Sequence, residues 1–337
     1  MQTTIGVHEQ ETILRRPELA QLLCEELKAR DIRRVIFLGI PVTMEEPFLR
    51  TTIARWGIMV LTPPAHERAW LAQVQDELAC GTITADMASH FSSLVADGAE
   101  HGVNCVVIAS QALMALARHC ELEAKGITLV DALRAGSSRV RNVVFDMGRV
   151  LLEWHPLAMA RATCETDDDA ELLANAVFGS AEWVLHDADA VDSQTVAWMA
   201  KTRVPERLHD SVDQLVHHWY EDRTFMPQTG ELIGELKATG YGIYLLSNAG
   251  VEFDNYKHRL PAYECFDGMV VSCYEHVLKP DARIYTRLCE RFDLAPNTCL
   301  FVDDVEHNVE GARRIGMQGW HFDGTVEALH HFLLGNG

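Results

Sequence analysis

Four sets of reactive side chains each lie directly after a short apolar run or directly before a proline. They are the carboxylate of Asp146, the hydroxyl of Ser247, the amine of Lys279 and the carboxylate pair Asp303-Asp304. Short apolar runs without polar alternation predict strands buried on both faces, as in a parallel sheet covered by helices. Open α/β sheets place their ligands at the carboxyl ends of such strands. Side chains of these types, gathered there, have the chemistry for metal binding and phosphoryl transfer.

Asp146 taken alone is open to two interpretations, a reactive group or a cap at the end of its strand. The later positions favour the reactive group, because each also follows an apolar strand or opens a helix. In this order the four sets resemble the signature motifs of the haloacid dehalogenase-like (HAD) hydrolases, whose commonest activity is magnesium-dependent phosphatase. The resemblance runs from about Arg141 to about Asp323.

The resemblance implies a nucleophile and a metal site. Asp146 would attack phosphorus and form an aspartyl-phosphate intermediate. Mg²⁺ would be bound by Asp146, by the main-chain carbonyl of Gly148 and by Asp304, since this ion prefers oxygen ligands and keeps several waters. Asp303 would lie beside them as a further catalytic residue.

The resemblance also implies a phosphate site. Ser247 would donate its hydroxyl to a phosphate oxygen, and Asn248 would lie next to it as a second substrate-binding residue. Lys279 would balance the phosphate charge and hold Asp146 in place. Asn308 is a further candidate.

The first motif departs from the family pattern at Gly148, where most phosphatases of this family carry an aspartate that serves as general acid. General acid catalysis is commonly worth about 10² to 10⁴ in rate, so its loss matters for a poor leaving group. The Asp-x-Gly form followed by Val150-Leu151 is similar to a branch of sugar-phosphate phosphatases that includes bacterial α-glucose-1-phosphate phosphatase. We therefore expect a small phosphorylated metabolite with a relatively good leaving group, such as a sugar phosphate.

The sequence pattern between the first and second motifs predicts helices and no strand. It is similar to the helical cap that many HAD hydrolases insert there, and such caps close over the site. We expect a cap at residues 156–225 and a Rossmann-like hydrolase core at residues 139–155 and 226–337. Trp183, Trp198 and Trp219 predict a small helical core for the cap. Four further polar residues of the cap are open to two interpretations, a cleft-facing group or a solvated helix end: Glu182, His186, Asp187 and Asp189.

Residues 1–138 alternate predicted strands and helices, which indicates a separate, small flavodoxin-like α/β domain with a parallel sheet. This domain resembles the C-terminal half of the aspartate/glutamate racemase family, whose second catalytic cysteine follows a strand like Val106–Ile108. This chain has Ser110 at that position, and a hydroxyl is far too weak an acid to replace a thiol there. Cys105 is expected to pack as a small apolar side chain. We therefore expect no racemase activity, and a structural or ligand-sensing role instead.

The composition fits this two-domain organisation. A chain of 337 residues with 48% hydrophobic and 23% charged residues is typical of globular proteins. The net charge of −20 argues against a nucleic-acid partner. Nine scattered cysteines, no apolar leader and no apolar run of spanning length predict a cytoplasmic protein without disulfides or membrane contact.

The sequence thus predicts a Mg²⁺-dependent phosphatase acting on a small phosphorylated metabolite. A haloacid dehalogenase would also use an aspartate nucleophile but needs no magnesium, so the Asp303-Asp304 pair disfavours it. The alternative from another class is a non-catalytic, metabolite-sensing regulator built from degenerate racemase and hydrolase domains. The retained reactive groups of all four motifs favour the enzyme. The sequence makes no prediction of oligomeric state.

Overall fold

A computed structural model describes residues 17–45, 47–79 and 82–335. The chain divides into two compact units. The first takes the described residues up to Ser138 together with those from His330 onward, and the second is Arg139–Leu329. The predicted hydrolase core runs to residue 337, whereas the described residues from His330 onward group with the first unit.

The first unit contains a four-stranded parallel sheet in the order β2-β1-β3-β4. Its strands are β1 Arg34–Leu38, β2 Met59–Leu61, β3 Cys105–Ile108 and β4 Thr128–Asp131. Its helices are α1 Pro17–Ala29, α2 Pro41–Glu45, α3 Pro47–Arg55, α4 Ala65–Ala79, α5 Ala85–Glu100 and α6 Gln111–His119. Every residue of β3 is buried, as expected of a central strand covered on both faces.

Polar side chains at the carboxyl end of this sheet are used in local structure. Ser110 is the N-cap of α6, where its hydroxyl accepts the N–H of Leu113 at 3.4 Å and donates to Gln75 Oε1 at 2.8 Å. Burial raises the pKa of the Cys105 thiol to about 12, so this cysteine is an apolar packing residue. Neither side chain has the properties of an acid–base catalyst.

The second unit is built on a five-stranded parallel sheet in the order β7-β6-β5-β8-β9. Its strands are β5 Asn142–Phe145, β6 Gly242–Ser247, β7 Gly268–Val271, β8 Cys299–Asp303 and β9 Gln318–His321. Phe145 at the end of central β5 lies in register with Leu245 and Val302. This register brings the ends of β5, β6 and β8 to one edge of the sheet. The fold class is therefore the predicted parallel-sheet α/β core.

All residues between β5 and β6 are described, and they form helices without a regular strand. The helices of the segment predicted to be a cap, called the cap helices below, are α7 Pro156–Arg161, α8 Asp167–Val177, α9 Ala181–Asp187, α10 Ser193–Lys201 and α11 His209–His217. Three of them begin with a side-chain N-cap, since the side-chain oxygens of Thr166, Ser180 and Asp192 each accept a backbone N–H of the first turn. Helix α9 was not predicted from the sequence.

The remaining helices flank the second sheet or end the chain. They are α12 Pro227–Ala238, α13 Phe253–Tyr256, α14 Ser272–Glu275, α15 Ala282–Phe292, α16 Glu306–Arg314 and α17 Val326–Leu334. Leu288 of α15 packs with Phe301 and Leu246 of the strands in the main apolar core. Within the described part of the chain, no helix has the length and hydropathy to cross a membrane.

Candidate active site

A buried ammonium group joins two carboxylates at the carboxyl edge of the second sheet. Lys279 Nζ lies 2.6 Å from Asp146 Oδ1 and 2.7 Å from Asp303 Oδ2. The side chains of Lys279 and Asp303 are 1% and 0% exposed. A buried cation shared by two buried anions is held by strong charge-assisted hydrogen bonds, so the structure fixes the orientation of Asp146.

The positions of Asp146 and Lys279 are set by backbone contacts. The N–H of Asp146 donates to the carbonyl of Val302 at 2.8 Å and so extends the pairing of β5 with β8. Asn248 Oδ1 accepts the main-chain N–H of Lys279 at 2.8 Å, while Asn248 Nδ2 donates to the Lys279 carbonyl at 3.2 Å. Asn248, predicted to bind substrate, lies at the cavity wall and also holds the lysine segment.

The two adjacent aspartates have different surroundings. Both oxygens of Asp303 accept hydrogen bonds, from the N–H of Val305 at 2.8 Å and from Asn308 Nδ2 at 3.1 and 3.2 Å. Asp304 is partly exposed and lines a cavity, and its Oδ2 lies 3.3 Å from a guanidinium nitrogen of Arg149. Asp303 is thus an orienting group, whereas Asp304 is open to a ligand.

The site carries more negative charge than its cations balance. Burial raises the pKa of Asp146 to about 7, although Lys279 works to lower it. Burial likewise works to lower the pKa of Lys279, but Asp146 and Asp303 outweigh it and raise that pKa. Burial and the charge of Asp303 raise the pKa of Asp304. The excess of carboxylate charge is the electrostatic condition under which a divalent cation binds.

The donor set fits a magnesium ion. Carboxylate oxygens of Asp146, Asp303 and Asp304 lie within 4.8 Å of one another. Because Asp303 is already saturated with hydrogen bonds, Asp146 and Asp304 are the available ligands, and Gly148 lines the cavity beside them. The buried Oδ1 of Asn308 has no hydrogen-bond partner among the described residues, which leaves one more oxygen for a bound water.

A family model described as haloacid dehalogenase-like hydrolase matches residues 128–316, more than half of the chain. The chain belongs to the haloacid dehalogenase-like hydrolases. The match spans all four motif positions and includes the cap.

Two curated relatives match a little more than half of this chain. The sesquiterpene phosphatase astK of Aspergillus oryzae is 24% identical over 194 residues, which cover 54% of this chain and 90% of the relative. The (S)-2-haloacid dehalogenase 4A of Burkholderia cepacia is 27% identical over 201 residues, which cover 56% of this chain and 82% of the relative. Among solved structures, a magnesium complex of the HAD family enzyme bt-2542 of Bacteroides thetaiotaomicron is 15% identical with a TM-score of 0.45. It covers 57% of this chain and 98% of that one.

The HAD motifs line one cavity of about 870 Å³. Polar groups lie at one part of its wall, where Ser247, buried at the end of β6, joins the groups of the Lys279 cluster. Aromatic rings form another part of the wall: Trp154, Phe178, Trp183 and Trp219. A cavity with a few convergent polar groups and a mostly apolar wall is the usual form of a small-molecule site.

The aromatic wall is a packed cluster. The ring centroids of Trp154 and Trp219 are 5.1 Å apart, and those of Phe178 and Trp183 are 4.8 Å apart, both in edge-to-face geometry. Trp183 and Trp219 lie in the cap core as predicted. The prediction is wrong for Trp198, which is 65% exposed because it lies on the outer face of α10. Trp154 and Phe178 were not predicted, since neither shares a recurring spacing with the other rings.

The four polar cap residues have four different environments. Glu182 forms a two-pronged ion pair with Arg203 at 2.8 and 2.9 Å. His186 Nε2 lies 2.8 Å from Glu252 Oε2 and is buried. Asp189 is exposed, and Asp187 alone of the four lines the cavity. The end of α9 thus places Asp187 in the cavity wall, whereas Glu182 and His186 bind other side chains.

Proposed function

We propose that this HAD hydrolase is a magnesium-dependent phosphatase that acts on a small phosphate monoester through an aspartyl-phosphate intermediate. The observation that carries the proposal is the contact between Asp146 and Lys279 at the wall of a cavity that also holds Asp304 and Ser247. A fixed nucleophile, a cation and a hydroxyl are the groups that phosphoryl transfer requires, because its catalysis consists of positioning and charge stabilisation.

In the first step an oxygen of the Asp146 carboxylate attacks phosphorus, and the bond from phosphorus to the organic oxygen breaks. Lys279 keeps the attacking carboxylate in one orientation and lowers its affinity for a proton. Ser247 donates its hydroxyl to a phosphate oxygen. In the second step water attacks the phosphorus of the aspartyl-phosphate, inorganic phosphate leaves, and the Asp146 carboxylate is restored.

Asp146, the Gly148 carbonyl and Asp304 would hold Mg²⁺, and this ion would neutralise negative charge on the transferring oxygens. Asp303 would contribute indirectly, since it holds Lys279 and receives Asn308. The surplus carboxylate charge described above supports this assignment.

The cavity wall favours a substrate with an apolar or ring-shaped organic group. Trp154, Phe178, Trp183 and Trp219 offer ring faces and edges but few hydrogen-bonding groups. The relative named as a sesquiterpene phosphatase supports an apolar organic group as well. The sugar phosphate expected from the Asp-x-Gly motif remains a candidate, because aromatic rings also stack on the apolar faces of sugars.

A 2-haloacid dehalogenase is the second candidate, favoured by the relative of that name at 27% identity. Asp146 would then attack carbon and release halide. The excess carboxylate charge at Asp303 and Asp304 favours the phosphatase, since a reaction on a haloacid has no need of a divalent cation.

The test measures phosphate release from aryl, prenyl and sugar phosphates and halide release from 2-chloropropionate, each with Mg²⁺ and with chelator. We expect Mg²⁺-dependent phosphate release that falls by about 10³-fold or more in Asp146→Asn. Asp210→Asn, which makes the same charge change on the surface of α11, is the matched control and should retain full activity. Halide release with chelator present would identify a dehalogenase. Absence of any turnover would favour the non-catalytic regulator.

A further inference from the structure

Asp187 is a cavity carboxylate that the motifs do not account for. It ends α9 of the cap and lines the same cavity as Asp146 and Lys279. Among the described residues, none gives its carboxylate a hydrogen bond or an ion pair. Nearby acids behave differently, since Glu182 is bonded to Arg203 and Glu252 to His186. An acid that faces a cavity without a partner has its hydrogen-bonding capacity free for a ligand.

The main chain around Asp187 is fixed to the core of the same unit. Ser272 Oγ donates to the carbonyl of Asp187 at 2.5 Å, and His276 Nδ1 lies 3.3 Å from the carbonyl of Ala188. On the other side, the buried pair of His186 and Glu252 joins α9 to the segment after β6. These contacts hold the Asp187 side chain at a defined place in the cavity wall, as a catalytic group requires.

We infer that Asp187 is the proton donor for the leaving group in the phosphatase reaction proposed above, and the inference rests on that function. Gly148, two residues after the nucleophile, has no side chain for this task. The carboxylates of Asp146 and Asp304 are committed to Lys279 and to the metal site. Two acids of the cavity wall, Asp187 and Glu171, lie outside that cluster. Asp187 is half-buried, whereas Glu171 is exposed on α8, so Asp187 is the better placed of the two to donate a proton inside the cavity.

The proton balance is complete without another reactant. As the bond from phosphorus to the leaving oxygen breaks, the proton of neutral Asp187 moves to that oxygen and an alcohol departs. The Asp187 carboxylate then accepts a proton from the water that attacks the aspartyl-phosphate. Release of inorganic phosphate leaves Asp187 protonated for the next turnover, as general acid–base catalysis requires.

The environment favours the protonated form of Asp187 at neutral pH. Burial raises its pKa to about 7, the charges of Glu252 and Asp146 act in the same direction, and His186 and Lys279 oppose them. Tyr256 and Cys273, both buried, also interact with its charge, and His276 and Asp189 lie at the same end of α9. A general acid performs best when its pKa lies near the working pH.

The experiment compares two substrates of similar size, benzyl phosphate with a poor leaving group and p-nitrophenyl phosphate with a good one. In Asp187→Asn we expect kcat for benzyl phosphate to fall by about 10² to 10⁴-fold, and kcat for p-nitrophenyl phosphate to change by less than about threefold. The decline of the benzyl phosphate rate as pH rises above neutrality should also disappear. Asp189→Asn, an exposed acid two residues further on, is the matched control and should behave as wild type.

A double variant separates chemistry from structure. A Cβ added at Gly148 would meet only Trp154 Cβ, at an ordinary 3.9 Å, so the backbone leaves room for a side chain to begin there. Asp187→Asn combined with Gly148→Asp should recover at least about tenfold of the lost benzyl phosphate rate, because it returns an acid to the cavity.

Each other outcome overturns the inference. An equal loss on both substrates would make Asp187 a structural residue, and an unchanged benzyl phosphate rate would exclude it as the donor. In both cases the wild-type phosphatase stands. A wild type inactive on both substrates would instead overturn the proposed function and this inference with it.

Discussion

The two units present polar residues at the carboxyl edge of a parallel sheet, yet the two edges differ in how those residues are bonded. In the first unit Ser110 caps α6 and donates to Gln75. Asp131 accepts the N–H of Leu133 at 2.9 Å and lies 3.3 Å from His331. Each of these groups has a partner close by in its own unit.

At the edge of the second sheet, carboxylates outnumber the groups that balance them. Asp146, Asp303 and Asp304 share Lys279 and Arg149, and a cavity of about 870 Å³ opens on Asp146 and Asp304. Strand ends with polar residues are therefore common to both units, and they do not by themselves indicate a reaction. Unbalanced charge next to a cavity distinguishes the reactive edge from the structural one.

The strongest test of this difference removes the shared cation. Lys279→Met should abolish phosphate release and lower the free energy of unfolding by about 3–5 kcal/mol, because Asp146 and Asp303 become buried like charges without a counterion. Lys237→Met, which removes a half-exposed partner of Asp267, is the control and should cost at most about 1 kcal/mol. Urea unfolding and phosphate assays measure both quantities. A stable, active Lys279→Met protein would mean that the charges at the second edge are as well balanced as those at the first edge.

Metal binding gives the next largest effect. Saturating Mg²⁺ should raise the stability of the second unit, by about 2.7 kcal/mol at a concentration 100 times the dissociation constant. Asp304→Asn should lose most of this increase, whereas Asp131→Asn at the edge of the first sheet should keep it. Thermal unfolding with Mg²⁺ and with chelator provides the measurement. The same increase in both variants would place the ion elsewhere.

The contrast between the edges also shows how far the sequence predicts the structure. The apolar runs before Asp146 and before Asp303 predict β5 and β8 to within about a residue, because strands buried on both faces leave no polar residue in the run. In the first sheet the same logic applies to β3, every residue of which is buried, but not to β2, which has no fully buried residue. Strong local patterns therefore define the core strands well.

Contacts between residues that are distant in the sequence could not be predicted from such local patterns. The sequence does not indicate that Lys279 binds Asp303 while Asp304 stays open to a ligand. The two aspartates are adjacent and of the same type, so only the folded backbone decides where each side chain points. Helix α9 was not predicted because its large apolar residues Trp183, Val184 and Leu185 are consecutive and do not follow helical spacing. Accordingly Val184 and Leu185 are 51% and 44% exposed. The position of Asp187 at the cavity depends on this helix.

A smaller effect is expected from the pair that joins α9 to the core. Burial works to lower the pKa of His186, but Glu252 outweighs it and raises that pKa above its ordinary 6.5. The Glu252 pKa is lowered from its ordinary 4.5, where burial opposes the hydrogen bond and charge of His186. The histidine contributes stability that is lost as pH rises above 6.5, and the glutamate contributes stability that is lost as pH falls below 4.5. The pair is therefore most stabilising between these values.

Urea unfolding of His186→Gln tests this window. The variant should lose roughly 1 kcal/mol more stability at pH 5.5 than at pH 8.5, since a charge-assisted hydrogen bond is replaced by a neutral one. His218→Gln, which removes the half-exposed partner of Glu221, should show almost no pH-dependent difference. An equal loss at both pH values in His186→Gln would show that packing, and not charge, holds this end of α9.

The smallest expected effect comes from placing a thiol at the edge of the first sheet. In Ser110→Cys we expect phosphate release to stay at the wild-type rate and no exchange of the α-hydrogen of aspartate with deuterated water, as followed by NMR. Ser110 is buried and burial raises the pKa of nearby Cys105, so a thiol placed at this edge should also stay protonated and be unable to remove an α-proton. Ser110→Ala controls for the loss of the N-cap, which costs about 0.5–2 kcal/mol of stability. Hydrogen exchange in Ser110→Cys but not in Ser110→Ala would show that the first edge retains catalytic geometry. The absence of a thiol at residue 110 would then explain why the first edge is inactive.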